Sequence, residues 1–228
     1  MKSVLQRYEV ESPEATEFRR LFSRLRRTGE PEPVKSILIT SAVRGEGKST
    51  TAAYLAITAA RYRKTKTLLV DGDLRKPKVH TLFQLRNQPG LSDVLSGASS
   101  LKACFKSTSL EELKILTAGK ARLSPSESFD SDRMKDVFEE MRFYFDVIIV
   151  DAAPVIAVSD PIILGSEVGG VLLVVMAGKT PREVVKRAKN ILADSSVNIL
   201  GVVLNNADEV LPYYYDYRYY GYPGTDEK

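Results

Sequence analysis

The sequence predicts an α/β fold of three layers, in which helices cover both faces of a parallel sheet. Short, unbroken runs of Val, Ile and Leu recur along the chain, as they do in strands buried on both faces. Segments with the apolar spacing of helices separate these runs, and such alternation is typical of strand–helix–strand units. With 228 residues, the chain is long enough to bury one sizeable core.

The predicted elements alternate through most of the chain. The predicted strands are Ser36–Thr40, Thr67–Asp71, Leu113–Thr117, Asp146–Asp151, Val171–Met176 and Ile199–Leu204. The predicted helices between them are Ser49–Arg63, Ser131–Phe143 and Pro181–Ala193. Because ligands of such sheets bind beyond the carboxyl ends of the strands, we expect the functional residues there.

The chain divides into three parts. Residues 1–33 are predicted to hold an N-terminal helix and a linker, with Ser12 as the helix cap and Pro13 in the first turn. The apolar stripe of this helix is Phe18, Leu21, Phe22 and Leu25. Residues 34–211 form the predicted core domain, and residues 212–228 a flexible, tyrosine-rich tail.

Composition excludes several classes of site. Cys104 and His80 are the only cysteine and the only histidine, so no disulfide, zinc centre or Cys/His nucleophile system can be built. The net charge of +4 is mild, and its basic clusters are interpreted either as solvated helix surface or as contacts with acidic protein, membrane or nucleic acid. Because aromatic residues do not alternate with these cations outside the tail, we do not expect nucleic acid as a partner.

The sequence also predicts where the protein acts. Its start has no apolar signal region, and its longest apolar stretch is far below the ~20 residues of a spanning helix. We therefore expect a cytosolic protein, or one peripheral to a membrane.

A phosphate-binding loop follows the first predicted strand. Glycines at positions 45 and 47 let successive backbone N–H groups turn towards phosphate oxygens, and the following helix adds positive potential. Lys48 is expected to reach the β- and γ-phosphates, and the Ser49 hydroxyl to bind Mg²⁺. The pattern departs from the usual one at Ala42, where glycine is expected. The candidate nucleotide-binding residues of the loop are Arg44, Gly45, Glu46, Gly47, Lys48, Ser49 and Thr50.

Carboxylates follow two other predicted strands. Asp71 and Asp73 leave the end of one strand at i and i+2, and alternation places both on one side while the strand continues. Asp151 ends a second strand, as in the Walker B pattern of P-loop NTPases, and would hold Mg²⁺ directly or through water. The alternatives are an ordinary Asp-Gly turn at residues 71–73 and a strand that happens to end in Asp.

Asn205 is a further candidate because it follows the last predicted strand. Its amide carries a paired donor and acceptor that match an adenine edge, and the alternative is an ordinary loop asparagine.

The end of the chain concentrates the tyrosines. Seven of the eleven lie within ten residues, and these are Tyr213, Tyr214, Tyr215, Tyr217, Tyr219, Tyr220 and Tyr222. A nucleotide site combined with a strip of phenols predicts an enzyme that phosphorylates tyrosine, including its own. The alternative is an inert tail.

Together these motifs resemble the bacterial tyrosine kinases of capsule and exopolysaccharide systems. That family combines Walker A, a second strand with D-x-D-x-R-x-P, Walker B and a C-terminal tyrosine cluster. Asp71–Pro77 is a close match to the second motif, and the resemblance covers about residues 34–222. It departs at Arg44 and Ala153, where the family has proline, and in the E-x-x-R-x-x-R oligomerisation helix. There Glu17 and Arg20 are followed by Ser23.

The resemblance implies a function and partners. It implies an ATP- and Mg²⁺-dependent kinase that autophosphorylates the seven tail tyrosines, with Lys48, Asp71, Asp73 and Asp151 as catalytic residues and Ser49, Asp73 and Asp151 at the metal. Asp71 would orient or deprotonate the incoming hydroxyl. It further implies homo-oligomers at the inner face of the membrane, with residues 1–33 as a candidate oligomerisation segment. The activator would be a cytosolic segment of a membrane chain-length protein.

Two other functions fit parts of the sequence. Partitioning-type P-loop ATPases carry a lysine before the first glycine of the loop, where this chain has Val43 and Arg44. A non-catalytic adaptor would not need Lys48, Asp73 or Asp151. The kinase interpretation alone also gives the tyrosine-rich tail a purpose.

Overall fold

The computed structural model describes residues 2–28, 33–62, 64–120, 125–129 and 132–207. Part of the predicted linker, residues 29–32, lies outside the described residues. So does the tyrosine-rich tail, from Tyr213 to Tyr222.

One sheet of seven strands organises the described chain. Its order is β3-β4-β2-β5-β1-β6-β7. The strands are β1 Ser36–Ser41, β2 Thr67–Asp71, β3 Lys106–Ser107, β4 Leu113–Leu116, β5 Val147–Asp151, β6 Gly170–Met176 and β7 Ile199–Asn205. All neighbours pair in parallel except β3 and β4, so the predicted parallel sheet is correct apart from one short antiparallel edge strand.

Helices lie between and before the strands. They are α1 Val4–Arg7, α2 Pro13–Arg27, α3 Lys48–Arg61, α4 Val79–Phe83, α5 Leu91–Leu95, α6 Leu101–Cys104, α7 Pro125–Phe129, α8 Asp132–Tyr144, α9 Asp160–Ser166 and α10 Arg182–Asp194. The predicted long helices correspond to α2, α3, α8 and α10. The shorter helices were not predicted, because four to seven residues show too little of a helical period.

Two hydrophobic cores lie on opposite faces of the sheet. Alternation along β1 sends Leu38 into one core and Ile37 and Ile39 into the other. The first core also contains apolar residues of α5, α6, α8, α9 and α10. The second contains those of α1, α2, α3 and α4. Helices therefore cover both faces, which confirms the three predicted layers.

The N-terminal helix α2 packs on its own domain. Ser12 caps it by accepting a hydrogen bond from the Ala15 N–H at 3.1 Å. Phe22 is buried and meets the Tyr62 ring edge-on, with centroids 5.6 Å apart. Glu17 and Arg20 form an ion pair on the exposed side of this helix. That exposed side is the part available to another subunit, and the oligomerisation role stays a prediction.

None of the helices in the described ranges combines the length and apolar character needed to cross a lipid bilayer.

Candidate active site

The phosphate-binding loop joins β1 to α3. Gly45 and Gly47 have φ angles of +85° and +91°, in the left-handed region that favours glycine. Lys48 is the first residue of α3, so the loop ends at a helix N-terminus, where backbone N–H groups can bind an anion. The side chains of Arg44 and Thr50 are exposed at the rim of the loop. Backbone and helix thus form the cradle that the sequence predicts for phosphate.

Glu46 faces the protein. Its side chain is buried, and Oε2 accepts a hydrogen bond from the Val43 N–H at 2.7 Å. Its other oxygen accepts bonds from the Met176 N–H at 3.4 Å and from the Thr180 hydroxyl. These hydrogen bonds hold the loop to the end of β6. Because the Glu46 carboxylate bonds within the protein, the backbone N–H of Glu46 is its group suited to phosphate. The sequence pattern does not distinguish the role of this side chain from that of its backbone.

Asn205 contacts the same loop. Its Nδ2 donates to the Glu46 carbonyl oxygen at 2.9 Å. A Cβ atom on Gly47 would lie 2.1 Å from that nitrogen, so the absence of a side chain at Gly47 makes room for the amide. The structure thus gives Asn205 a positioning contact, and its contact with a nucleotide base stays a prediction.

Three aspartates surround the Lys48 ammonium. Lys48 Nζ lies 3.0 Å from Asp73 Oδ2 and 3.6 Å from Asp151 Oδ1. Asp71 and Asp151 are register partners at the ends of β2 and β5. Lys48 Nζ also donates to the Ser49 hydroxyl at 3.3 Å. The structure therefore brings together all the residues predicted for catalysis and metal binding.

Burial changes the charge states of this cluster. Burial and the nearby Asp151 raise the pKa of Asp71 to about 8, although Val79 N–H donates to its carboxylate at 2.9 Å. Burial likewise raises the pKa of Asp151 to about 6, against the effect of the Lys48 ammonium. Burial alone would lower the pKa of Lys48, but the carboxylates of Asp151 and Asp73 outweigh it and raise that pKa. The cluster thus takes up protons more readily than isolated carboxylates would, because one ammonium does not balance three carboxylates.

The unpaired oxygens of this cluster suit a bound cation. Oδ1 of Asp71 and both oxygens of Asp151 are buried without a hydrogen-bond partner. Such atoms are costly unless something binds them. Among the described residues, no group of three or more His, Cys, Asp or Glu forms a metal cage by itself. Since Mg²⁺ is usually held by one or two carboxylates together with substrate phosphates, the residues fit Mg²⁺ bound with a nucleotide.

An ion pair between a partly exposed arginine and a buried aspartate lies on the segment that follows Asp73. Arg75 donates from Nε to Asp160 Oδ2 at 2.8 Å and from Nη2 to Oδ1 at 3.1 Å. The Asp160 side chain is only 1% exposed. The pair ties the segment after β2 to the first turn of α9. The D-x-D-x-R motif had singled out Arg75, but no local pattern marks a partner 85 positions away.

The chain matches a family model over residues 33–216, described as ParA: NUBPL iron-transfer P-loop NTPase. Curated relatives cover nearly its whole length. It is 38% identical to the tyrosine-protein kinase YwqD of Bacillus subtilis over 220 residues, which is 96% of this chain and 92% of the relative. It is 35% identical to the putative tyrosine-protein kinase CapB of Staphylococcus aureus, over 94% of both.

The chain is also similar to solved structures. The crystal structure of the chimerical protein CapA2B2 superposes with a TM-score of 0.84 at 34% identity, covering 90% of this chain and 89% of that one. The kinase domain of the Escherichia coli tyrosine kinase Etk gives 0.72 at 33% identity, covering 75% and 67%. The septum site-determining protein MinD of Pyrococcus horikoshii, at 24% identity and a TM-score of 0.62, covering 75% and 69%, shares the fold.

Proposed function

This chain belongs to the bacterial tyrosine-protein kinases and to the P-loop NTPase family, and on that premise we propose that it uses ATP and Mg²⁺ to phosphorylate the tyrosine-rich tail of a neighbouring copy. By this reaction it regulates capsule or exopolysaccharide synthesis and export. The acceptors are the seven tyrosines between positions 213 and 222.

One observation carries the proposal. The Lys48 ammonium lies between Asp73 and Asp151 at the mouth of a phosphate-binding loop, with Asp71 beside Asp151. A site that only bound phosphate would not need three carboxylates around its lysine, because they repel the anion. Carboxylates are useful there if a cation and a hydroxyl nucleophile also enter the site.

Different residues have different roles in phosphoryl transfer. The loop N–H groups and Lys48 bind the phosphates and draw charge from the γ-phosphoryl group. Ser49, Asp73 and Asp151 would hold Mg²⁺, which would supply positive charge that offsets the charge of the phosphates. Asp71, whose raised pKa of about 8 keeps much of it protonated at neutral pH, orients the tyrosine hydroxyl by hydrogen bonding. A free phenol has a pKa of ~10, so positioning contributes more than early deprotonation.

The order of the strands favours transfer between copies. β7, after which the tail begins, lies four strand spacings from β2, which is about 19 Å. From Ala207 an extended chain reaches about 20 Å at Tyr213 and about 50 Å at Tyr222, so length alone permits transfer within one copy. However, β1 lies between β7 and β2, and a tail crossing directly would run over the phosphates bound at its loop.

We further propose that the protein works at the inner face of the cell membrane, in homo-oligomers that use the exposed side of α2. A cytosolic segment of a membrane chain-length protein would activate it. One similar structure is that of the chimerical protein CapA2B2. In addition, this chain spans only 23% of the E. coli relative Etk, so there the kinase part is joined to a much longer chain.

The test is to incubate the full chain with Mg²⁺ and ATP and to map phosphate by mass spectrometry. We expect phosphotyrosine between Tyr213 and Tyr222, and none in Lys48→Met. The matched variant Lys135→Met, at an exposed position of α8, should keep full activity. Steady ADP release without phosphotyrosine would instead indicate an ATPase switch.

A mixing experiment tests transfer between copies. Lys48→Met protein supplies an intact tail without activity, and a variant with all seven tail tyrosines changed to Phe supplies activity without acceptors. Phosphotyrosine on the Lys48→Met chain in the mixture is the expected result. Its absence, with the wild-type protein active, would show transfer within a single copy.

A further inference from the structure

One ion pair joins the two segments that carry the aspartates beside Lys48. Asp73 follows β2 and Asp151 ends β5, and both carboxylates lie next to the Lys48 ammonium. Arg75 is two residues beyond Asp73, and Asp160 is nine residues beyond Asp151. Because the Arg75 guanidinium donates to both oxygens of the Asp160 carboxylate, the two segments meet again outside the site. Such two-point bonding fixes orientation as well as distance.

The segment that leads from β5 to Asp160 is attached to β1. The Thr40 hydroxyl donates to the Ala153 carbonyl oxygen at 2.7 Å, and the Val155 N–H donates to the Ser41 carbonyl oxygen at 2.9 Å. Both partners on β1 lie just before the phosphate-binding loop. Asp160 is the first residue of α9, and its side chain is buried. Asp160 therefore offers a buried anchor on the side of the site that holds the loop.

The segment that carries Asp73 is a turn beyond the end of β2. The Gly72 N–H donates to the Asp151 carbonyl oxygen at 2.7 Å, and a Cβ on Gly72 would lie 3.0 Å from that oxygen, so the turn begins close against β5. Asp73 Oδ1 accepts a hydrogen bond from the Lys76 N–H at 3.0 Å, which shapes the turn from within. The ion pair attaches the middle of the turn to α9.

Repulsion between carboxylates makes this attachment useful. Three aspartates are buried around the Lys48 ammonium, and if Lys48 binds phosphate as proposed, they would lose part of their counter-charge. Asp73 is two residues past the last residue of β2, so strand pairing does not hold it against this repulsion. Asp160 raises the pKa of Arg75 above its ordinary value and Asp73 adds to that effect, so the guanidinium attracts both carboxylates.

We propose that Asp160 is a positioning residue of the metal site: through Arg75 it keeps the Asp73 carboxylate opposite that of Asp151, so that both can bind the same divalent cation. This inference rests on the proposed function, since it concerns how the same site receives Mg²⁺. Asp160 itself contacts neither nucleotide nor metal. Its loss should therefore weaken metal binding and leave phosphate binding by the loop intact.

The test measures metal binding without turnover. Fluorescent N-methylanthraniloyl ADP is titrated with the full chain, once with Mg²⁺ and once with EDTA. Asp160→Asn weakens the ion pair with little change of shape, and it should raise the Kd for this ADP in Mg²⁺ about tenfold. The Kd in EDTA should stay unchanged, because the loop from Gly45 to Thr50 is not altered.

Three further variants separate positioning from general damage. Val137→Ala removes buried volume from α8 and lowers stability away from the site, so the response to Mg²⁺ should remain that of the wild type. Asp136→Asn makes the same charge change at an exposed position and should have no effect. Arg75→Lys keeps the charge without the two-point geometry and should fall between wild type and Asp160→Asn. Equal losses in Asp160→Asn and Val137→Ala would overturn the proposal.

A double variant tests whether Asp160 acts through Asp73. Asp73→Asn already removes the carboxylate whose position Asp160 controls. Adding Asp160→Asn to it should raise the Kd for ADP in Mg²⁺ by less than about threefold, compared with about tenfold in the wild-type background. The full rise in both backgrounds would contradict a role through Asp73.

Rates of tail phosphorylation distinguish this inference from the proposed function. Excess Mg²⁺ should restore much of the rate that Asp160→Asn loses, because a higher concentration fills a weakened site. A loss that Mg²⁺ does not restore would overturn the positioning role. If the wild-type protein forms no phosphotyrosine, the proposed function fails, while the ADP titrations still decide the role of Asp160.

Discussion

Lys48 Nζ and Asp73 Oδ2 are 3.0 Å apart, which links the phosphate-binding loop to the segment that follows β2. The other oxygen of Asp73 accepts a hydrogen bond from the Lys76 N–H at 3.0 Å. If Lys48 binds phosphates as proposed, its ammonium would exchange one anionic partner for another. The carboxylate of Asp73 would then become available to a cation that arrives with the nucleotide.

Asp73→Asn is therefore expected to raise the Mg²⁺ concentration required for half-maximal activity by about tenfold, because an amide is a weaker ligand than a carboxylate. Titration of tail phosphorylation with Mg²⁺ at saturating ATP measures this. The control is Asp136→Asn on the exposed side of α8. An unchanged Mg²⁺ requirement would show that Asp73 does not contribute to the metal site.

Gly47→Ala should destabilise the protein more than Gly45→Ala. Both positions have positive φ, which costs an alanine about 1–2 kcal/mol. A Cβ on Gly45 meets nothing within 4 Å, whereas one on Gly47 meets the Asn205 amide. We expect a total loss of about 2–4 kcal/mol for Gly47→Ala, measured by chemical unfolding without nucleotide.

The same contact can be tested by coupling. In an Asn205→Ala background the side chain that meets the new Cβ is gone, so the cost of Gly47→Ala should fall towards that of Gly45→Ala. Additive effects of the two changes would contradict the observed proximity of Gly47 and Asn205.

Glu46→Ala should lower both stability and nucleotide affinity. The change leaves the Val43 and Met176 N–H groups and the Thr180 hydroxyl without their acceptor, at a cost of about 2–4 kcal/mol. Glu46→Gln keeps one acceptor oxygen and should fall between alanine and wild type. Thermal unfolding with and without an ATP analogue measures both effects, with Glu139→Ala on α8 as the exposed control.

Removing one partner of the Arg75–Asp160 pair should cost more than removing both. Arg75→Ala removes the guanidinium that donates to both oxygens of the buried Asp160 carboxylate, and because the arginine is partly exposed we expect a loss of about 1–3 kcal/mol. The double variant Arg75→Ala/Asp160→Asn should recover part of that loss. A double-mutant cycle of unfolding free energies is the measurement, and a coupling energy near zero would refute it.

The raised pKa of Asp71 predicts how stability changes with pH. The folded protein keeps this proton up to about pH 8, whereas an unfolded aspartate loses it near pH 4. This contribution to stability is complete below about pH 4 and is lost as pH rises to about 8, and Asp151, with a pKa of about 6, acts in the same direction.

Asp71→Asn imitates the protonated acid. The loss of unfolding free energy between about pH 5 and about pH 8 should therefore be smaller in this variant than in the wild type, by about 1–3 kcal/mol or several degrees in Tm. Nucleotide-free melting curves across this range measure the effect. A variant as pH-dependent as the wild type would show that Asp71 titrates normally.

The parts of this structure that the sequence predicted are those with a local signature. Unbroken apolar strands, such as Val147–Asp151, are readable because both faces of the sheet are covered. The loop from Gly45 to Ser49 is readable because positive φ requires glycine and the helix follows at once. The same reasoning placed the three aspartates at one edge of the sheet.

Other features depend on contacts between distant residues. The buried orientation of Glu46 is set by Thr180, 134 positions later, and the partner of Arg75 is 85 positions away. The two-residue strand β3 is too short for an alternating pattern and exists because it pairs with β4. No property of these residues taken alone distinguishes them from ordinary loop or surface positions.

The packing of the N-terminal segment against α3 has a mechanical consequence. The helix is 14 residues long, about 21 Å, and Lys48 is its first residue. The hydroxyl groups of Tyr8 and Thr58 form a hydrogen bond of 2.8 Å, and the Phe22 ring packs on Tyr62, which follows the last residue of the helix. Residues 2–28 thus contact the far half of α3, whose first residue is Lys48, so a displacement of this segment along the helix axis would carry the Lys48 end with it.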